Sequence, residues 1–297
     1  MDPRRLRYLL ELSRLGSMRA VANALDTTTS TVSQQIAVLA QEAGATLLEP
    51  DGRRVRLTPA GRRLAEHAVT ILAALEAARA DLDPAAEPAG TLRVAGFATA
   101  IRTCLLPILA RLARSHPRVQ LIVYEHEPSD ALELLAADDV DLALSYDYNL
   151  APAALDRVLE ATPLWSTRWG LGVPAGPGQP DSGETLAVFT AYREHDWIGN
   201  SRNRADEHVV RTLASMAGFE PRVTHQADSL DLVEDLILAG LGVGLLPSER
   251  ASRPGVQLLP LADPTVRLRS YAVTRRGRAS WPPLALVLDL LARPSAR

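Results

Sequence analysis

The sequence predicts a multidomain α+β chain, and three stretches predict it. Residues 17–43 read as two helices joined by a tight turn. Residues 59–82 carry a heptad-spaced apolar stripe that ends in a linker holding proline and glycine. From residue 91 onward strands and helices alternate.

Residues 3–15 form the first helix, with Leu6, Leu9, Leu10 and Leu12 on one side and Arg4, Arg5 and Arg7 near its start. Ser17 follows Gly16 and caps the next helix, because its short side-chain oxygen satisfies a free backbone N–H. Val21, Ala22 and Leu25 share a face there. Asp26-Thr27-Thr28 breaks the pattern, since these side chains compete with the helix for backbone hydrogen bonds. A second helix spans about 29–43, with Val32, Ile36 and Leu39 as its buried stripe. Behind Thr28, its other face is Thr29, Ser30, Thr31, Ser33, Gln34 and Gln35. A merely solvated face would carry Glu, Arg or Lys, whereas short hydroxyls and amides suit base edges. These residues predict a helix-turn-helix with its recognition helix at 29–43. The competing reading is a plain helical hairpin.

Asp51-Gly52 lies between two short apolar runs, a hairpin signal. Arg53, Arg54 and Arg56 rim that hairpin and suit phosphate or minor-groove contact, so it reads as a wing. Thr58 is placed to cap a helix that has Pro59 at its first position. Leu64, Ala68, Ile71, Leu75, Ala78 and Leu82 then repeat at heptad spacing, which predicts pairing of two chains through this linker helix; the competing reading is packing on the protein's own body. Asp83 to Gly90 is a linker, because its prolines and glycine stop the helix and deny it a strand.

Beyond the linker the pattern predicts strands at 91–97, 119–124 and 140–145, with helices near 101–114 and 129–137 between them. Strands follow near 164–173, 186–190, 196–198 and 221–226, with helices near 205–217 and 229–239. Gly240 to Pro247 turns into another strand, 256–261 and 266–274 add two more, and a helix near 283–292 closes the chain. Such alternation makes a parallel α/β unit, here repeated as two lobes.

Gly16-Ser17, Ala22…Leu25, Val32-Ser33-Gln34-Gln35-Ile36 and Leu57-Thr58-Pro59-Ala60-Gly61, at this spacing, resemble the LysR-type transcriptional regulators. The motifs cover about the first 65 residues, and the layout extends the likeness over the chain. Three departures stand out. That family usually has an aromatic residue where Met18 and Leu48 stand, Leu-Glu where this chain has Leu39-Ala40, and an arginine near Pro50. The resemblance implies a winged helix-turn-helix over 1–58, a linker helix and hinge over 59–90, and an effector domain over 91–297 resembling periplasmic solute-binding proteins. Lobe one would be 91–161 plus 267–297, and lobe two 162–266. It further implies an inverted-repeat operator in double-stranded DNA, a homodimer through the linker helix, and a homotetramer.

It also implies an inter-lobe cleft for a small polar or anionic effector. Open α/β sheets bind ligands at the carboxyl ends of strands. The residues carried to that cleft are Phe97, Ala98, Thr99 and Ala100, then Ser145 and Tyr146, then Asn200, Ser201 and Arg202. Gln226, Asp228 and Ser229 follow, and Gly242 and Gly244 would let backbone approach the ligand.

Charge is divided along the chain. Residues 1–65 hold ten arginines against six acids, and the remainder holds 22 against 29. A basic head on an acidic body fits a modest DNA footprint. Every basic residue is arginine. One cysteine, Cys104, cannot form an internal disulfide, which fits a reducing cytoplasm. No apolar run approaches the ~20 residues of a membrane span, and no export signal follows the first residues. The histidines lack metal-site spacing, and no hydrolase elbow or phosphate loop is present. Gly240-Leu241-Gly242-Val243-Gly244 follows a helix and precedes a strand, the reverse of a dinucleotide fingerprint. No enzyme activity, metal or cofactor is therefore expected. The alternative is a solute-binding or enzymatic α/β protein whose helical N-terminus serves only dimerisation.

Overall fold

The computed structural model describes residues 1–51, 54–83, 87–176, 184–202 and 204–293. The head is three helices, α1 (Pro3–Leu15), α2 (Met18–Ala24) and α3 (Thr29–Ala43), followed by the antiparallel pair β1 (Leu48–Asp51) and β2 (Arg54–Leu57). Its helix ends are set by short side chains. Ser17 Oγ accepts from Ala20 N at 3.1 Å, and Thr28 Oγ1 from Thr31 N at 3.1 Å. Gly16 and Gly44 close α1 and α3 in the left-handed conformation that glycine adopts without strain. Leu6, Leu9, Val21, Val32, Ile36 and Leu39 are buried together as the head's core. Met18, Ala40 and Leu48 pack against that core, so those departures from the family pattern are changes of packing.

The long helix α4 (Pro59–Leu82) is started by Thr58, whose Oγ1 accepts from Gly61 N at 3.0 Å and donates to Thr46 O at 2.6 Å. The face that α4 buries within its own chain is Ala65, Ala68, Val69 and Ala73. Ala68 thus serves the head, and Leu64 packs there too. Farther along the seam Leu75 is half-buried, while Ile71, Ala78 and Leu82 are exposed.

In the body, strands β3 (Gly90–Gly96), β4 (Val119–Glu125) and β5 (Leu142–Tyr148) pair in parallel, with helices packed between them. β7 (Asp196–Gly199), β8 (Arg222–Gln226) and β9 (Val243–Pro247) repeat that arrangement. The two parallel units are joined by antiparallel strands, β6 (Leu159–Pro174), β10 (Val256–Pro260) and β11 (Arg267–Arg275), in the order β4-β3-β5-β11-β6-β9-β7-β8 with β10 also on β6. β6 pairs with β11 through Arg168, and from Trp169 onward it pairs with β9 and β10 instead. Helix α11 (Pro282–Ala292) returns to β3 and α4.

Several elements differ from the sequence expectation. The strand expected near 186–190 is a helix, α8 (Thr185–Ala191). Val188 and Phe189 favour strands intrinsically, but Thr185, Val188 and Phe189 are buried at helical spacing, and packing overrides propensity. The helix expected from 101 starts as α5 (Ala98–Ala100), widens into a π-helical turn at Ile101–Leu105 and continues as α6 (Leu106–Ser115). Pro107 lacks the N–H that would have bonded the preceding turn, and the wider turn just before it absorbs the fault. β5 begins at Leu142 and runs on to Tyr148, beyond the expected 140–145, and β6 starts at Leu159, ahead of 164. Among the described residues no helix is long and apolar enough to cross a membrane.

Thr58→Ala removes both the cap of α4 and the tie to Thr46. It should lower stability by about 1–2 kcal/mol, read as a shift of the urea midpoint at unchanged slope. A midpoint within error of the parent would show that α4 is held without its cap.

Candidate DNA-reading surface and ligand cavity

The sequence pattern of α3 places its apolar stripe inward and leaves Thr29, Ser30, Ser33 and Gln34 exposed. Thr31 and Gln35 are half-buried. Thr28 is occupied as the cap, and its hydroxyl also bonds those of Ser30 (2.8 Å) and Thr31 (2.9 Å). Gln35 is tied to the first helix, because Arg5 Nε donates to Gln35 Oε1 at 3.2 Å while the same guanidinium pairs with Glu42. In the hairpin Arg56 Nε lies 3.0 Å from Glu49 Oε1, directly across the β1–β2 pair. Arg53 and the Arg54 side chain lie outside the described residues.

The second site is a cavity of about 90 Å³ between the two parallel units. Phe97, Ala98 and Thr99 enter from the turn after β3, and Tyr146 from β5. Trp165, Thr167 and Trp169 alternate inward from β6. Asn200, Asp206 and Asp228 come from the turns and helix starts of the second unit. Its aromatic wall is a chain of edge-to-face contacts. Phe97 and Tyr146 have centroids 4.7 Å apart, Tyr146 and Tyr148 6.2 Å, and Tyr148 and Trp169 5.5 Å. This geometry sets positive ring edges against negative faces.

The polar lining is acidic. Asp206 is half-buried near the start of helix α9 (Ala205–Met216), where Tyr148 Oη donates to its Oδ1 at 2.7 Å and its own N–H donates to Asn200 Oδ1 at 2.9 Å. Burial raises its pKa to about 6, against the pull of hydrogen bonds from Tyr148 and Asn200 and with the charge of Asp228 adding to the rise. Burial also works against ionised Asp228, but hydrogen bonds from Ser201 and Arg202 outweigh it and hold that pKa low. Ser201 N and Arg202 Nε reach Asp228 at 2.9 and 3.2 Å. Glu127 Oε2 accepts from Tyr146 Oη at 3.4 Å. Burial pushes the Tyr148 hydroxyl well above its usual range, so it stays a donor. Trp165 Nε1 donates to Cys104 Sγ at 3.0 Å, whereas Trp169 Nε1 has no partner among the described residues.

Of the residues carried to the cleft by resemblance, Phe97, Ala98, Thr99, Tyr146, Asn200 and Asp228 line this cavity, while Ser201 and Arg202 grip Asp228 at its edge. Ala100, Ser145, Gln226, Gly242 and Gly244 do not line it. Ala100 is buried beneath the turn, and Ser145 alternates with Tyr146 on β5, its carbonyl accepting from Ser270 Oγ. Gln226 is exposed on β8. The glycines serve strand packing, since a Cβ on Gly242 would lie 2.6 Å from Asp196 O and one on Gly244 3.1 Å from Val233 Cγ1. Sequence reasoning missed Glu127, Trp165, Thr167, Trp169 and Asp206. The alternation of 165, 167 and 169 was the available signal.

A helix with a polar, uncharged outer face on one unit, and a small cavity between two parallel units on another, point to a class: transcription regulators that bind DNA at one end and an effector at the other. Residues 3–62 match the model for bacterial regulatory helix-turn-helix proteins of the lysR family, and residues 85–294 match the LysR substrate binding domain. The chain belongs to the LysR family of transcriptional regulators. It is 27% identical to the transcriptional dual regulator GltC of Bacillus subtilis over 95% of this chain and 93% of that protein. To the regulator CysB of Haemophilus influenzae it is 26% identical, over 84% of this chain and 76% of the other. These relatives are regulators rather than enzymes. In fold it is similar to a full-length OxyR variant from Pseudomonas aeruginosa, with a TM-score of 0.70 at 20% identity, covering 98% of this chain and 93% of that one. Full-length CbnR in complex with its target DNA gives 0.55 at 22% identity, covering 99% and 100%.

Asp206 carries a pH dependence. Its folded pKa is raised above the unfolded 3.8, so the native state holds the proton more tightly and stability falls as pH rises from about 3.8 through about 6. The penalty above that window is on the order of 3 kcal/mol. Asp206→Asn keeps an acceptor for Tyr148 and removes the charge. It should stabilise the chain at neutral pH, by about 1 kcal/mol more at pH 7.5 than at pH 5 in urea unfolding. An equal gain at both would mean that Asp206 is already neutral or already solvated.

Proposed function

We propose that residues 1–58 read an inverted-repeat operator, residues 59–90 join two chains, and residues 91–297 bind a small effector in the cavity that lies between the lobes, 91–161 with 267–297 and 162–266. The observation that carries the reading is the cavity itself. Its walls come from both parallel units, and among the described residues those units are joined within the sheet through β6 and β11 with their partners. A ligand there touches both units at once, so its binding energy depends on their relative placement. A ligand shifts an equilibrium only by its differential affinity for the two arrangements, commonly ~1–3 kcal/mol of coupling. At about 90 Å³ the space is below the usual ~300–1,000 Å³ of ligand pockets, so it favours a small metabolite or one whose entry parts the lobes. A protein that acts on DNA in a bacterial-type family works in the cytoplasm, as a dimer or a tetramer.

On the head, Thr29, Ser30, Ser33 and Gln34 offer short donors and acceptors to base edges. Thr28, Thr31 and Gln35 hold the helix in register, and Arg53, Arg54 and Arg56 flank the phosphates. Gln34 is the amide best placed to read a base, since the Gln35 carbonyl is taken by Arg5. Gln34→Ala should relax preference at one operator position per half-site by about 1–3 kcal/mol, measured by binding to a set of single-base operator variants. A uniform loss over all variants would make Gln34 a positioning residue.

Ile71, Leu75, Ala78 and Leu82 are the part of the α4 seam left outside the head's core, and they pair with the same stripe of a second chain. Leu75→Arg places a charge in that seam. The variant should sediment as a smaller species and footprint only half-sites; full-site protection by a species of parental size would remove this seam from the interface.

A further inference from the structure

We propose that the cavity takes a small organic cation, an ammonium or amidinium compound that also carries a hydrogen-bond acceptor. The inference rests on the reading of this cavity as the effector site, and it replaces the sequence expectation of a polar or anionic ligand with its opposite in charge. Three carboxylates line the cavity, Glu127, Asp206 and Asp228, and no arginine, lysine or histidine does. Arg202 is the cation beside two of them, paired with Asp228 and acting on Glu127 through its charge. Asp206 is held by neutral groups, the Tyr148 hydroxyl and the turn at Asn200, and among the described residues no basic side chain pairs with it. A carboxylate enclosed without a positive partner is unfavourable unless something supplies one. An anion would add a further negative charge to this wall, and repulsion would exclude it.

The rest of the lining suits the same ligand. Phe97, Tyr146, Trp165 and Trp169 present ring surface to the space, the environment in which an ammonium or amidinium group gains cation–π attraction. Trp169 supplies the independent observation. It lines the cavity, it is only 8% exposed, and its Nε1 donates to nothing. Buried donors are nearly always bonded. This one is satisfied when a ligand brings a carbonyl, hydroxyl or carboxylate oxygen. A metal ion does not meet these demands, because among the described residues no three His, Cys, Asp or Glu side chains are placed to share one. An organic cation reaches separated carboxylates through several N–H groups and offers Trp169 its acceptor from the other end.

The test uses the full chain and four small probes of similar size: glycinamide (cation with a carbonyl), propylammonium (cation alone), propionamide (carbonyl alone) and propionate (anion). Binding is read by thermal shift and titration calorimetry. Glycinamide should bind most tightly, propylammonium and propionamide more weakly, and propionate not at all. Asp206→Asn should weaken glycinamide by roughly tenfold or more, the loss of a charge-assisted hydrogen bond. Glu127→Gln gives the same direction should the first variant unfold, and circular dichroism checks both. Ala98→Leu fills the cavity and should abolish the glycinamide shift. Propionate binding that Ala98→Leu abolishes would leave the cavity as the effector site and overturn the cation. Glycinamide binding that survives Ala98→Leu would overturn both. No shift with either cation overturns the assignment of ligand charge.

Discussion

One strand, β6, belongs to both halves of the body's sheet, and the placement of everything around the cavity depends on it. Its first part pairs with β11 and its last part with β9 and β10, so the 16 residues from Leu159 to Pro174 carry the chain across from one parallel unit to the other. Period-two alternation then does two jobs at once. Trp165, Thr167 and Trp169 face the cavity. Gly170 and Gly172 stand where a Cβ would meet Leu259 O at 2.5 Å and Leu246 Cδ1 at 2.5 Å. A side chain at either glycine would force apart the strands that hold the second unit. The aromatic wall and the close packing behind it therefore follow from the register of a single strand, and a one-residue slip would exchange them.

The legible parts of this chain are those whose cause is local. Ser17, Thr28 and Thr58 cap the helices they precede because a cap needs only its own side chain and the next turn. The apolar stripe of α3 and the short pair of β1 with β2 are local in the same way, while Gly52 lies outside the described residues. The cavity was half legible for the same reason. Phe97 to Thr99 and Asn200 sit at strand-to-helix turns, which periodicity locates. Glu127 and Asp206 also stand at helix starts after strands, but these are two of several such starts, and which of them meet at the cavity is set by the order of the strands in the sheet. The misread helix at Thr185–Ala191 shows the limit from the other side, since its Val and Phe residues are strand formers whose burial is at helical spacing. The Arg5–Gln35 tie joins residues 30 apart in sequence, across two helices. Likewise the first part of the α4 heptad seam is used by the head's own core, which spacing alone could not reveal.

Head and body meet through charge. Arg14 on α1 donates to Asp138 O at 3.1 Å and lies 3.4 Å from Asp138 Oδ2, while Arg275 approaches the same carboxylate. Burial raises the pKa of Asp138, and the charges of Arg14, Arg275 and Arg278 oppose the rise. Next to it Asp141 accepts from Arg93 and Arg278. A second tie runs from Thr70 Oγ1 on α4 to Arg276 O at 3.2 Å. Partly buried pairs of this kind are screened by salt less than exposed ones.

These two regions are not independent, because β5 joins them. It begins at Leu142, four residues after Asp138 in the charged contact with the head, and it ends at Tyr146 and Tyr148 among the cavity's aromatic and acidic groups. At about 3.3 Å per residue the strand spans roughly 20 Å between them. Every one of its residues is buried, β3 pairs with Leu142 to Leu144 and β11 with Ala143 to Tyr148, so its paired backbone ties it to the sheet along its length. A packed strand bordered in this way does not deform gradually. A change in how Tyr148 holds Asp206 must be met either within the side chains of the cavity or by a displacement of the whole sheet half, and that half carries Asp138 and Asp141 with it. The same strand that presents hydroxyls to the cavity thus begins beside Asp138, the carboxylate to which Arg14 of the head is tied.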